Sequence, residues 1–263
     1  MHTWQWRSWE GLPYLTCSLL EPWCHGFFTQ QFSPRQPADL TQVLHPEAET
    51  YRLKQVHGNC VLTPSEVAQF LAVTGVVSLE NPVFAEADGL ISERATQAVW
   101  VATADCTPVL IADAKTGQVA AIHAGWRGTS QKIVPQAIAR LLDSGSKIDD
   151  LRIAMGPAIS GKVYQVSTQV AAEVGASVLP HDDQETIVNA LHELPNPPLL
   201  TDSHPGRVRL DVRRINALQL EKMGIAPEQV AIAPHCTYQE PENFFSYRRD
   251  KLKKVQWSGI VSR

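Results

Sequence analysis

The stretch from Ala102 to Ser130, ATADCTPVLIADAKTGQVAAIHAGWRGTS, limits the fold more than any other part of the chain. Two short apolar runs, Val109 to Ala112 and Val119 to Ala124, flank a turn at Lys115–Gly117. So short a connection favours an antiparallel pair of strands. That pairing places Cys106, just ahead of the first strand, and His123, near the close of the second, at one end of the hairpin. A thiol and an imidazole are therefore expected side by side.

Further β-branched apolar runs at Tyr51 to Val56, Ala98 to Thr103 and Val230 to Ala233 read as strands. Gln131 to Leu142 carries a helical stripe of Ile133, Val134, Ala137, Ile138, Leu141 and Leu142. Ser167 to Leu179 reads as a helix capped by Ser167 or Thr168. Asp211 to Met223 reads as another, opened by an Asp and closed by Gly224. Several neighbouring strands have no helix between them. The pattern predicts an α+β fold, a layered domain of mixed β-sheets with flanking helices, rather than a doubly wound one. Proline-bearing stretches at Leu194 to Gly206 and Gln30 to Pro37 are expected to be loops. Neither leaves two parts that each own a core, and no internal repeat is visible, so one domain over residues 1–263 is expected.

Composition narrows the function. With 44% apolar and 19% charged residues and a net charge of −4, the chain lacks the basic stripe of a dedicated nucleic-acid binder. No apolar run reaches the roughly 18–20 residues that span a bilayer. Met1 to Gly11 lacks the basic and long apolar segments of a secretory signal. A cytoplasmic protein is expected, with neither nucleic acid nor membrane as a partner. Cys17, Cys24, Cys60, Cys106 and Cys236 form no CxxC pair, and most are expected to be small core residues.

A third donor joins Cys106 and His123 as a candidate. His57 ends the strand-like run YRLKQVHG, with Gly58 to let the chain turn. One thiolate and two imidazoles suit Zn²⁺, and three protein ligands leave a position for water or substrate. The same residues also fit a buried Cys with two hydrogen-bonded histidines, or a metal-free hydrolase with Cys106 as nucleophile and His123 as base. Downstream, Gly125 to Ser130 precedes a helix. Its glycines, hydroxyls and Arg127 suit a phosphate, or alternatively a glycine turn with a structural Arg. Pro135 would interrupt a helix begun at Ser130. Phe244 to Asp250 (FFSYRRD) reads either as an edge strand or as a stacking surface with cations. No GxGxxG or GxxxxGK[ST] occurs, so nothing supports a dinucleotide or triphosphate site.

Six motifs then occur together: KQVHG (54–58), EADGLIS (86–92), TADCTPVLIAD (103–113), AAIHAGWRG (120–128), MGPAISGKVYQV (155–166) and CTYQEPENFFSYRRD (236–250). In this order the chain resembles the laccase-domain purine nucleoside phosphorylase family, also called multicopper polyphenol oxidoreductase and peptidoglycan editing factor. The resemblance implies a layered α+β domain similar to the catalytic domain of cytotoxic necrotizing factor. It implies zinc, with copper as the alternative, on His57, Cys106 and His123. It further implies phosphorolysis of adenosine, inosine and methylthioadenosine with adenosine deaminase activity, so that the partners are a purine nucleoside and phosphate. Some members are linked instead to laccase-like oxidation, or to removal of a misincorporated serine from a cell-wall precursor. In this frame Cys106, His123, Asp105 and Arg127 are the catalytic candidates, with Asp105 supporting the metal or carrying a proton and Arg127 holding phosphate. The family's usual GFSTRxGGVS is replaced here by Gly26 to Pro34 (GFFTQQFSP), without its Arg and glycine pair. The tail DKLKKVQWSGI stands where DGxTGR is usual.

Overall fold

The computed structural model describes residues 2–74 and 84–263. In chain order its first elements are β1 (Trp4–Trp9), β2 (Leu12–Cys17), β3 (His25–Phe28), α1 (Pro37–Leu44), β4 (Glu49–Tyr51), β5 (Val61–Leu62) and α2 (Pro64–Thr74). Next come β6 (Gly89–Ile91), β7 (Gln97–Thr103), β8 (Thr107–Asp113), β9 (Val119–Ala124), α3 (Trp126–Ser130), α4 (Ile133–Asp143) and β10 (Leu151–Met155). The remainder is β11 (Gln165–Ser167), α5 (Thr168–Gly175), α6 (Gln184–Glu193), β12 (Leu199–Thr201), β13 (Arg207–Leu210), α7 (Val212–Lys222), β14 (Val230–Ile232), α8 (Tyr247–Asp250) and β15 (Gln256–Val261).

These strands build two six-stranded sheets, ordered β1-β2-β3-β15-β7-β4 and β14-β10-β8-β9-β6-β5, and a small sheet β11-β13-β12. Both large sheets are mixed: β4 runs parallel to β7, β5 to β6 and β14 to β10, while the other pairs are antiparallel. The architecture is the layered α+β fold expected.

Side-chain alternation in β8 and β9 explains the layers. Leu110, Ala112, Val119 and Ala121 face one way, onto Leu15, Phe27, Val99, Val101 and Ile260 of the other large sheet. Val109, Ile111, Ala120 and Ile122 face the other way, onto Ile133, Val134, Ala137 and Ile138 of α4. A strand covered on both faces is apolar throughout, as TPVLIAD is. The first large sheet has a second apolar face, where Trp100, Trp257 and Val261 meet Leu40 of α1. The small sheet packs Val208 and Leu210 against Ile187 and Leu191 of α6.

The β8–β9 hairpin forms in the expected register, with Thr107 opposite Ala124 and Pro108 opposite His123. Asp113 closes its turn by accepting the amides of Lys115 (2.7 Å) and Thr116 (2.9 Å), and Gly117 supplies a φ of +76°. The three expected helices form with shifted ends. Ser167 Oγ caps α5 through the Val170 amide, and Asp211 caps α7 through the Arg214 amide. Pro135 falls in the first turn of α4, where no intrahelical N–H bond is lost; Lys132, at φ +60°, separates α4 from the short α3.

Four expectations need correction. Of the predicted 51–56 strand only Tyr51 joins a sheet, as the last residue of β4 (Glu49–Tyr51), because the Val56 amide turns toward Asp88 instead of a ladder partner. The stretch Leu194 to Gly206 is not all loop: Leu199–Thr201 pairs with β13 between its flanking prolines. Phe244 to Asp250 is no edge strand, since Ser246 Oγ accepts the Arg249 amide and starts the single turn α8. Of the cysteines only Cys17 and Cys236 are buried, while Cys24 and Cys60 are exposed. Among the described residues no helix is long and apolar enough to cross a membrane.

Candidate active site

Three chain segments converge at the open end of the β8–β9 hairpin. Cys106 precedes β8, His123 lies near the end of β9, and His57 sits on the turn between β4 and β5. One donor atom from each lies within 4.8 Å of the others. The two imidazoles meet edge to face, with ring centroids 4.8 Å apart at 82°.

Asp88, one residue before β6 and fully buried, organises two of the three. Its carboxylate accepts the amides of Val56 (3.2 Å), His57 (2.9 Å) and Gly58 (2.7 Å), together with Nδ1–H of His123 (2.8 Å). The three amides bend the chain so that His57 takes φ +62°, a conformation uncommon for a residue with a Cβ. The ring bond leaves Nε2 of His123 as the nitrogen free to meet a ligand. Burial alone would raise the Asp88 carboxyl, but His123 and the amides of Gly58 and His57 outweigh it and hold it below its usual range.

Burial also opposes a charge on Cys106, yet His123 and His57 prevail and bring the thiol down to about 6. Burial would lower His123; the Cys106 charge and Asp88 instead raise it to about 9. Each group thus favours the charged form of the other. Space beside the pair is kept by Gly125, where a Cβ would stand 2.8 Å from Cys106 Sγ and 3.5 Å from His57 Cδ2.

Asp105 has a different setting from that of Asp88. Its Oδ1 accepts Thr237 Oγ1–H and its Oδ2 accepts the Arg248 amide, both at 2.7 Å, while its carbonyl accepts the Ile159 amide. The carboxylate thus pins the C-terminal segment beside Cys106. Arg127, on α3, is exposed, and its guanidinium lies 4.5 Å from the Trp126 ring centroid. Tyr164 stands close enough to feel Cys106, Arg248, Asp105 and Arg127. Burial first, then the charge on Cys106, push its hydroxyl up to about 12 and keep it a donor. The expected stacking surface is dispersed: Phe244 is buried against Trp6 and His235, and Tyr247 projects into solvent.

His57, Cys106 and His123 stand out by residue type in the sequence, whereas Asp88 and Tyr164 do not. The signal for Asp88 was an acid between apolar neighbours in EADGLIS, ahead of a buried strand. A soft sulfur and two imidazole nitrogens, one oriented by a buried carboxylate, form a donor set that fits a borderline divalent ion.

Fold and site together define a class: layered α+β proteins that gather a His–Cys–His cluster able to bind a metal at the end of a sheet. Residues 35–261 match the family described as multi-copper polyphenol oxidoreductase laccase, and the chain belongs to that family. It is a family of enzymes. The chain is 52% identical over 264 residues to a protein of Synechocystis sp. named purine nucleoside phosphorylase, covering 98% of this chain and 97% of that one. It is 31% identical over 162 residues, 62% of this chain and 56% of the other, to a protein from an unknown prokaryotic organism named adenosine deaminase. The crystal structure of YlmD from Geobacillus stearothermophilus shares the fold, with a TM-score of 0.78, 23% identity and 98% of each chain covered.

Proposed function

We propose that the chain, as one domain over residues 1–263, is a zinc-dependent purine nucleoside phosphorylase with adenosine deaminase activity, working in the cytoplasm. The observation that carries this reading is the near-full-length likeness at 52% identity to a protein named for phosphorolysis. The donor set of His57, Cys106 and His123 supports zinc, with copper as the alternative.

Bound zinc would supply a Lewis acid to polarise a substrate atom or activate water. The chain's own groups do the positioning. Asp88 holds His57 and His123 in ligating orientation. Arg127 offers a fork of donors to phosphate. Asp105 acts as a positioning residue, because both its oxygens are already engaged. Tyr164 supplies a protonated hydroxyl near Cys106 and the two arginines Arg127 and Arg248. In phosphorolysis a phosphate oxygen bonds to C1′ as the C1′–N9 bond breaks, and the departing purine takes a proton. In deamination water adds at C6 and ammonia leaves.

Product analysis on zinc-loaded protein tests the reading. Adenosine with phosphate should give adenine and ribose 1-phosphate, and adenosine alone should give inosine. Absence of both products overturns the proposal. Serine released from a muramoyl-serine precursor would then identify an amidase, and oxygen-dependent oxidation of a phenol a laccase-like oxidase.

A further inference from the structure

Two neighbouring arginines in the C-terminal segment have opposite fates. Arg249 is fully engaged: its guanidinium donates to the carbonyls of Thr237, Tyr238 and Phe244 and to the Asp250 carboxylate. Its task is to fold the segment. Arg248 is anchored but not consumed. Its amide donates to Asp105 Oδ2 at 2.7 Å, its Nη1 donates to the Gln165 carbonyl at 2.7 Å, and its guanidinium lies 4.6 Å from the Tyr164 ring centroid. Among the described residues, Nε and Nη2 of Arg248 donate to nothing.

Arg127 is the counterpart. Its guanidinium lies against Trp126 and, among the described residues, makes no hydrogen bond or ion pair. Trp126 and Tyr164 pack on the same apolar cluster, under α5 and the small sheet, so the arginines on their rings are carried by one common floor. The chain ties each arginine to the metal-donor cluster: Arg127 comes two residues after Gly125, where a Cβ would stand 2.8 Å from Cys106 Sγ, and the Arg248 amide bonds to Asp105, the residue before Cys106. Two cations with spare donors, each seated on an aromatic ring near the Tyr164 hydroxyl and neither paired with an acid among the described residues, form a receptor for a compact oxyanion.

We propose that Arg248, together with Arg127 and the Tyr164 hydroxyl, forms the anion subsite of the active site, taking inorganic phosphate and the phosphate group of the sugar product. This rests on the phosphorylase reading for its biological ligand, but the subsite makes a binding claim of its own. Arg248 is a specificity residue for the anion and has no part in holding the purine.

The experiment titrates zinc-loaded protein with inorganic phosphate in the absence of nucleoside, by calorimetry, for wild type, Arg248→Gln, Arg248→Lys and the control Arg7→Gln. Arg7 lies on the exposed strand β1 and removes the same charge away from the site. Arg248→Gln should weaken phosphate binding about tenfold or more, Arg248→Lys by less, and Arg7→Gln hardly at all. In turnover, Arg248→Gln should raise KM for phosphate by the same factor while KM for the nucleoside and zinc content stay near wild type. A merely structural Arg248 would shift both KM values and the melting temperature together. Should Arg248→Gln fail to fold, the Lys variant carries the test. Wild-type protein that binds no phosphate, or an unchanged phosphate affinity in both variants, overturns the proposal. Arg248-dependent phosphate binding without phosphorolysis would uphold the subsite and overturn only the phosphorylase reading.

Discussion

Asp88 grips His123 twice: Oδ1 accepts Nδ1–H of its ring at 2.8 Å, and the Asp88 carbonyl accepts its amide at 2.8 Å. The first bond sets which ring nitrogen faces Cys106, and the second sets where the ring stands. Asp88→Asn keeps the size of the side chain but removes the charge that favours Nδ1–H. Metal affinity should fall about ten- to a hundredfold, the usual effect of losing a carboxylate behind a ligating histidine. Competition with a chelator measures it. An affinity equal to wild type would remove Asp88 from the site.

The metal itself is the second test. Purified protein should hold about one zinc per chain, as one tetrahedral site requires. His57→Ala, Cys106→Ala and His123→Ala should each lose most of it by elemental analysis. Cys24→Ser and Cys60→Ser, both at exposed thiols, should lose none. Full retention in the Cys106 and His123 variants would sink the assignment.

Gly125 gives a purely steric test. Its φ of −74° and ψ of 171° suit any residue, so alanine costs nothing in backbone strain. The added methyl would nonetheless stand 2.8 Å from Cys106 Sγ. Gly125→Ala should therefore reduce metal affinity and turnover much more than it lowers the melting temperature. Wild-type metal affinity in this variant would mean that Cys106 can shift without loss.

A pH dependence is expected away from the metal donors. Asp202 accepts from the His204 amide, Arg209 Nε, His204 Nδ1 and Gln165 Nε2, and these bonds hold its carboxyl well below the usual carboxylate range. A depressed acid stabilises the fold above its unfolded value of about 4, and that contribution fades as pH falls through the folded value. The melting-temperature gap between wild type and Asp202→Asn should thus be full at pH 7 and shrink below about pH 4. A gap that widens on acidification would contradict the bonding.

What the sequence shows and hides follows distance along the chain. The β8–β9 hairpin is legible because its turn, its alternation and its two reactive ends lie within one short segment. His57 is legible as a residue type, yet its left-handed backbone is not, since the carboxylate that imposes it lies on β6's approach. Asp88 looks like any acid before a strand until folding brings four donors onto it. Strand β12 is hidden by prolines on both sides, because its pairing with β13 is a tertiary fact that local propensity does not carry. The roles of Arg248 and Arg249 are interchangeable in sequence, and only their carbonyl partners separate them.

The three donors do not share one sheet. His57 and Cys106 lie on two crossings from the first large sheet to the second, β4 to β5 and β7 to β8, whereas His123 lies in β9 of the second. An ion bound there would tie both crossings to the end of β9. Because a ligand that binds only the folded state adds stability as its concentration exceeds Kd, about 2.7 kcal/mol at a hundredfold excess, metal supply would act on the protein's lifetime as well as on its chemistry.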